Sequence, residues 1–266
     1  MKNRLMALAA LALLSLPWSS SCWAGKLEQI KKDGLRVCLE PGYMPFIMLD
    51  KQGKIVGFDP DLAELTAKEL GAPKLELINT PWNDIIPTLI ADKCDIIMSG
   101  MSITEERRQK IDFSNAYIVI GQTVLLRKDL EDRIKSYGDL NDPKYKVASK
   151  QGTTGEAAVK THIPKAQYLA FKTEQEGVTE VLGGKIDAFI YDSPSNAVAV
   201  GQRGEGKLVL LDSPFTFEPI GWAIRKGDPE FLNWLNTFIR KIDKDGTKHT
   251  IYRKWFKSAG WLKNIQ

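Results

Sequence analysis

Apolar positions along the chain follow two different periods in turn. Runs of strand length at 35–39, 55–57, 74–78 and 95–99 alternate with stretches 59–70 and 82–91, where apolar residues recur every three or four positions as on one face of a helix. Gly71 stands where the first of these helices has to stop. A second set repeats the plan, with strands at 146–149, 166–170 and 187–191 and helices at 153–160, 173–182 and 193–200. The approaches to corresponding strands are alike: Ile90-Ala91-Asp92-Lys93-Cys94-Asp95-Ile96-Ile97 in the first set, Leu182-Gly183-Gly184-Lys185-Ile186-Asp187-Ala188-Phe189 in the second. Strands that alternate with helices predict an α/β fold with parallel-type sheets, and the repeated set predicts two lobes rather than one sheet.

Beyond the second set come strands at 208–211 and 217–225, then helices at 229–242 and 247–256. Phe231, Leu235, Phe238 and Ile242 form a stripe beside Arg240 and Lys241, which suits a packing face rather than a membrane helix. No Pro-, Gly- or Ser-rich linker separates the lobes, so the chain is expected to cross between them in short strand-like pieces near 118–124 and 213–220. That places residues 25–119 and 217–266 in lobe 1 and residues 120–216 in lobe 2. Ligands of such folds sit in the cleft, beyond the carboxyl ends of the strands.

The first 24 residues read as a secretory signal. Lys2 and Arg4 precede the apolar run Leu5 to Leu16, Pro17 ends it, and cleavage is expected after Ala24. Twelve apolar residues are too few for a bilayer-spanning helix, which needs roughly 20. Cys22 raises lipid anchoring as an alternative, but Ser19, Ser20 and Ser21 precede it where an aliphatic residue is wanted. The exported chain then keeps Cys38 and Cys94, either joined as a disulfide in an oxidising compartment or buried as small apolar residues. The two histidines, His162 and His249, lie at no metal-ligand spacing, so no metal is expected. The net charge of +4, or +2 without Lys2 and Arg4, is too small for a nucleic-acid surface and favours a small-molecule partner.

Two enzyme signatures fail. Gly201 to Leu208 nearly fits a phosphate loop but ends in Leu208 and leads into a strand, and no G-x-S-x-G occurs. The strand-end loops carry more chemistry. Glu40 to Phe46 offers a carboxylate and the ring of Tyr43, and Trp82 opens a helix. Gly100, Met101 and Ser102 lead to Arg107, with free backbone groups, a hydroxyl and a guanidinium. Lys150 to Gly155 turns into a helix whose N-terminus, at Thr153 and Thr154, suits an anion. Asp192 ends a strand. An arginine, a helix N-terminus and an aspartate facing one cleft would form a receptor for a zwitterion. Singly, Arg107 reads as one surface charge beside Glu105, Glu106 and Arg108, and Asp192 as a helix N-cap before Pro194.

From Leu35 to Trp255 the sequence resembles the periplasmic solute-binding proteins of polar amino-acid ABC transporters, bacterial extracellular solute-binding protein family 3. The segments that carry the resemblance are Ile55-Val56-Gly57-Phe58-Asp59, Pro81-Trp82-Asn83-Asp84-Ile85-Ile86-Pro87, Ser102 to Arg107 with Ile111-Asp112-Phe113-Ser114, Gln151-Gly152-Thr153-Thr154, and Ile186-Asp187-Ala188 with Tyr191-Asp192. The resemblance implies a two-lobe type II binding-protein fold joined by two hinge strands, a monomer without cofactor, and a membrane ABC permease as partner. It implies that Arg107 grips the ligand carboxylate with Thr153 or Thr154, that Asp192, Gly100 and Ser102 hold the ammonium, and that Tyr43 and Trp82 sandwich the stem. Glu40 replaces an aspartate of many relatives and Ile47 a polar residue, which bears on side-chain selectivity. A basic ligand would satisfy Glu40, arginine first and then lysine, ornithine or histidine. The alternative pairs Glu40 with Lys150 and admits a neutral, glutamine-like ligand. Cyclohexadienyl dehydratases share this fold, but the helix after Asp192 (Ser193, Pro194, Ser195, Asn196, Ala197) offers no acid to protonate a leaving hydroxyl, so a receptor is expected rather than an enzyme.

Overall fold

A computed structural model describes residues 25–204 and 206–265. The leader, its cleavage point and Cys22 lie outside the described residues. The first half runs α1 (Lys26–Asp33), β1 (Leu35–Leu39), β2 (Met48–Leu49), β3 (Ile55–Val56), α2 (Phe58–Leu70), β4 (Leu75–Asn79), α3 (Trp82–Ile90), β5 (Ile96–Ile97), α4 (Glu105–Arg108), β6 (Asp112–Phe113) and β7 (Ile118–Ile120). It continues with β8 (Gln122–Arg127), β9 (Lys146–Lys150), α5 (Thr154–His162), β10 (Gln167–Phe171), α6 (Glu174–Leu182), β11 (Ala188–Asp192), α7 (Ser193–Arg203) and β12 (Leu208–Leu211). The chain closes with β13 (Glu218–Ile220), β14 (Ala223–Ile224), α8 (Pro229–Lys244) and α9 (Thr247–Phe256).

The strands form two five-stranded sheets with one plan. The first has the order β4-β1-β5-β14-β6, the second β10-β9-β11-β8-β12. In each, the first three strands are parallel and the fourth is antiparallel to its neighbours. The sheets are therefore mixed, where the strand–helix alternation predicted parallel ones. The reason lies in the route of the chain. Each fourth strand, β14 or β8, has just arrived from the other lobe, and each fifth, β6 or β12, is about to leave. The crossings, β7 and β13, pair antiparallel as a two-stranded ribbon, with Ile118 opposite Ile220 and Ile120 opposite Glu218. Two lobes joined by two strands are thus the architecture of the chain.

The likeness of the two strand approaches has a physical basis. Asp95 donates its N–H to Arg36 O at 2.9 Å and accepts the Arg36 N–H on Oδ2 at 2.9 Å. Asp187 repeats this with Lys146, donating to its carbonyl at 2.9 Å and accepting its N–H at 2.8 Å. In both lobes an aspartate satisfies the ladder where the third strand begins.

Cys38 and Cys94 are joined as a disulfide and both are fully buried, so the two readings of these cysteines hold together. The apolar stripe of α8 is buried at Phe231, Leu235, Phe238 and Ile242. The ring of Phe58 meets Tyr252 and Phe256 of α9 at centroid distances of 6.3 and 5.1 Å, fastening the C-terminal helices to lobe 1. No described helix is long and apolar enough to cross a membrane.

Candidate functional site

The strand-end loops of both sheets meet around one cavity. Lobe 1 lines it with Glu40, Tyr43, Trp82, Gly100, Ser102 and Arg107, and lobe 2 with Lys150, Thr153, Thr154 and Asp192. Met101 is the expected site residue that does not line it. Its side chain is buried among Ile85, Leu89 and Ile111, because the chain beyond Gly100 alternates faces and sends Met101 into the core while Ser102 faces the cavity. Ser99, at the start of the strand-end loop that leads to Arg107, also lines the cavity, as does Tyr191 beside Asp192.

Arg107 sits on the four-residue helix α4, which Thr104 caps by accepting the Arg107 N–H at 3.2 Å. Its neighbours Glu105, Glu106 and Arg108 are exposed, whereas Arg107 turns inward. The guanidinium donates to Ser102 O at 2.8 Å and to Gly152 O, across the cleft, at 3.4 Å. Its carbon lies 5.1 Å from the Trp82 ring centroid, a cation–π contact. Desolvation holds its pKa below that of a free arginine, with the charges of Glu218 and Asp192 opposing the shift.

Asp192 occupies the N-cap position of α7 without making a side-chain cap. Its carboxylate accepts instead from the Tyr43 hydroxyl, across the cleft, and from Gln122 Nε2 at 2.5 Å. Burial raises its pKa to about 7; the charge of Glu218 adds to that, while Tyr43, Gln122 and Arg107 pull it down. Tyr43 is stacked on Phe46 with centroids 4.6 Å apart. Gly100 has φ +55°, and a Cβ there would come 2.2 Å from the Tyr43 ring, so only glycine lets the loop pass the ring. Asp59 fixes that loop by accepting the Gly100 N–H at 2.7 Å.

In lobe 2, Thr153 precedes α5 but does not cap it, since its hydroxyl donates to Lys150 O at 2.7 Å. The helix N-terminus therefore keeps its donors on the cavity side for an anion. Trp82 Nε1 donates to Gly152 O at 2.9 Å, another contact between lobes. Glu40 accepts the Trp82 N–H at 3.1 Å and pairs with the buried Lys150 ammonium.

Three buried polar residues outside the sequence reading lie near the site without lining the cavity. Glu218 and Gln122 come from the crossing region. Glu218 is the sole charge between residues 213 and 224, and that isolated charge in an apolar stretch was the available signal. The third is Glu174, the first residue of α6. The helix after Asp192 carries no acid, but Glu174 is a buried carboxyl with Oε2 unpartnered, and burial raises its pKa to about 8 against the opposing charge of Lys150.

A cavity shut between two lobes on a two-strand ribbon, carrying fixed charges of both signs and ring faces, defines a receptor that encloses a small polar solute. The chain belongs to the bacterial extracellular solute-binding proteins, family 3, whose profile matches residues 35–258. A Wolinella succinogenes protein assigned as the binding component of an ABC transporter, solved complexed with lysine, is 48% identical with a TM-score of 0.84, over 86% of this chain and 98% of that one. An ancestral amino-acid-binding protein, a precursor of cyclohexadienyl dehydratase, is 47% identical with a TM-score of 0.81, over 88% and 100%. The ABC transporter glutamine-binding protein of Bacillus subtilis is 34% identical over 77% of this chain and 74% of its own length.

Proposed function

We propose that the protein is a periplasmic receptor for a free L-α-amino acid, delivered to a membrane ABC importer. The observation that carries this reading is the convergence of Arg107 and Asp192, from opposite lobes, on one cavity with the Tyr43 and Trp82 rings. Arg107 and the N-terminus of α5, at Thr153 and Thr154, take the ligand carboxylate. Asp192, with Gly100 and Ser102, takes the ammonium. Residues 25–119 and 217–266 move as one body and 120–216 as the other. The receptor acts as a monomer, without cofactor, and is exported by cleavage after Ala24.

A basic side chain, that of lysine or arginine, is the preferred ligand, supported by the lysine-complexed relative at 48% identity and by the carboxylate of Glu40, which lines the cavity beside Trp82. A neutral polar ligand is the second reading, favoured by the Glu40–Lys150 pair, which already meets the Glu40 charge from within the protein. The dehydratase alternative draws on Glu174, whose buried carboxyl would be a proton donor near neutral pH. Thermal shift with the common amino acids and with prephenate, followed by product analysis, separates the three. Arg107→Ala removes charge-assisted bonds in a desolvated cleft and is expected to weaken amino-acid binding about a hundredfold, roughly 3 kcal/mol, by calorimetry. Unchanged affinity in that variant would overturn the site assignment.

A further inference from the structure

One group of polar contacts between the lobes meets at the hinge. Glu218 is the first residue of β13 and is buried. Its Oε2 accepts from Ser102 Oγ of lobe 1 at 2.7 Å and from Thr154 Oγ1 of lobe 2 at 2.6 Å. Its Oε1 accepts from Gln122 Nε2 at 2.9 Å and from Thr216 Oγ1 at 3.0 Å. No salt bridge involves Glu218 among the described residues, so this buried carboxylate is held by neutral donors from both sides of the cleft.

The backbone changes allegiance around this residue. Phe215 N–H donates to Gln122 O at 3.0 Å, tying the strand to the second sheet, while Ile103 N–H donates to Pro219 O at 2.8 Å, tying it to the first lobe. Glu218 lies in the handover between the two. Whichever lobe it follows when the cleft opens, its side chain must release either Ser102 or Thr154. Gln122 extends the chain of bonds, since the Nε2 that serves Glu218 also serves Asp192 at 2.5 Å. An amide facing two carboxylates has to present its NH2 to them, and its Oε1 is left buried without a partner. That local cost is borne where two acids are held in register by one donor group.

We propose that Glu218 is a positioning residue that latches the closed cleft, joining Ser102 to Thr154 across the hinge and, through Gln122, setting the place of Asp192. The latch needs no ligand. Only its link to the ammonium-binding carboxylate rests on the amino-acid-receptor reading. Because Ser102 and Thr154 serve the ammonium and carboxylate common to every amino acid, the latch lengthens the residence of each by the same factor and leaves the order of preference untouched.

Spin labels on Glu64→Cys and Lys135→Cys, exposed positions on the two lobes, report the interlobe distance by electron–electron resonance. Glu218→Gln keeps the shape but replaces one acceptor with a donor. Glu218→Asp keeps the charge but is one methylene short of the two hydroxyls, and it serves as the test if the glutamine variant fails to fold. In the absence of amino acid, both variants are expected to shift the distances toward open forms. With L-lysine and L-glutamine as probes, dissociation should accelerate about tenfold for whichever binds, with association little changed, as for loss of a charge-assisted hydrogen bond. Ligand-free distance distributions that coincide with those of the unsubstituted protein would overturn the latch, as would an aspartate variant that behaves like it. If neither probe binds the unsubstituted protein, the receptor reading is at fault, and the ligand-free distances still decide the latch.

Discussion

Asp192 shows how much of a residue's role is fixed by where its side chain turns. By position it is an N-cap, and by contact it is the acceptor for Tyr43 and Gln122. Sequence carries the first fact and not the second, because an aspartate before a Ser-Pro helix start looks the same in either case. Arg107 was legible for a different reason: its position in the loop after the last strand of lobe 1 already put it at the cleft. Glu218 was not, since a strand that merely crosses between lobes gives no cue about which face of it will be dry.

The buried acids also set a pH dependence. Asp59 and Asp192 are raised to about 7 and Glu174 to about 8, chiefly by burial, while unfolded carboxylates titrate near 4. The folded state thus holds these protons more tightly. Their contribution to stability is complete below about pH 4 and is lost as the pH rises through about 7 to 8. The melting temperature of the ligand-free protein is expected to fall between about pH 5.5 and about pH 8.5, less steeply in Glu174→Gln. A melting temperature that climbs across that window would contradict the assignment. An ammonium ligand needs Asp192 ionised, so binding near pH 6 should expel a proton, seen as an enthalpy that varies with the ionisation heat of the buffer.

At the scale of elements, periodicity found the long helices and the central strands, because each buries one face against a core. It did not find α1, which buries only Leu27 and Ile30, or the two-residue strand β2, since neither is long enough to display a period. Strand direction was also beyond it: β8 and β14 are as apolar as their parallel neighbours, and only the route of the chain makes them antiparallel. The disulfide ties two such elements, β1 and the approach to β5, across 56 positions. The chain-entropy account gives a loop of that length about 4 kcal/mol. Reduction, or Cys38→Ala with Cys94→Ala, is expected to lower the unfolding free energy by about that amount in denaturant titrations. An unchanged midpoint would show that the cross-link contributes little beyond its burial.

For the whole molecule, the ribbon of β7 and β13 is, among the described residues, the only paired connection between two otherwise separate sheets. Rotation about it is the motion that would admit and enclose a solute. Small-angle scattering is expected to show a more compact particle with saturating L-lysine or L-glutamine, whichever raises the melting temperature, and identical curves would count against closure.

The same route of the chain imposes an order of assembly. The second sheet has all five strands once residue 211 has emerged, but the first still lacks β14, the strand that seats between β5 and β6. Trp222, fully buried in the core of lobe 1, arrives only then, and α8 and α9 later still. A chain folding as it emerges, N-terminus first, therefore completes its middle before its beginning. During that interval β5 presents a bare edge open to unwanted pairing. Hydrogen exchange on a chain truncated after residue 211 should accordingly find amides of β8, β9 and β11 protected and those of β1 and β5 not.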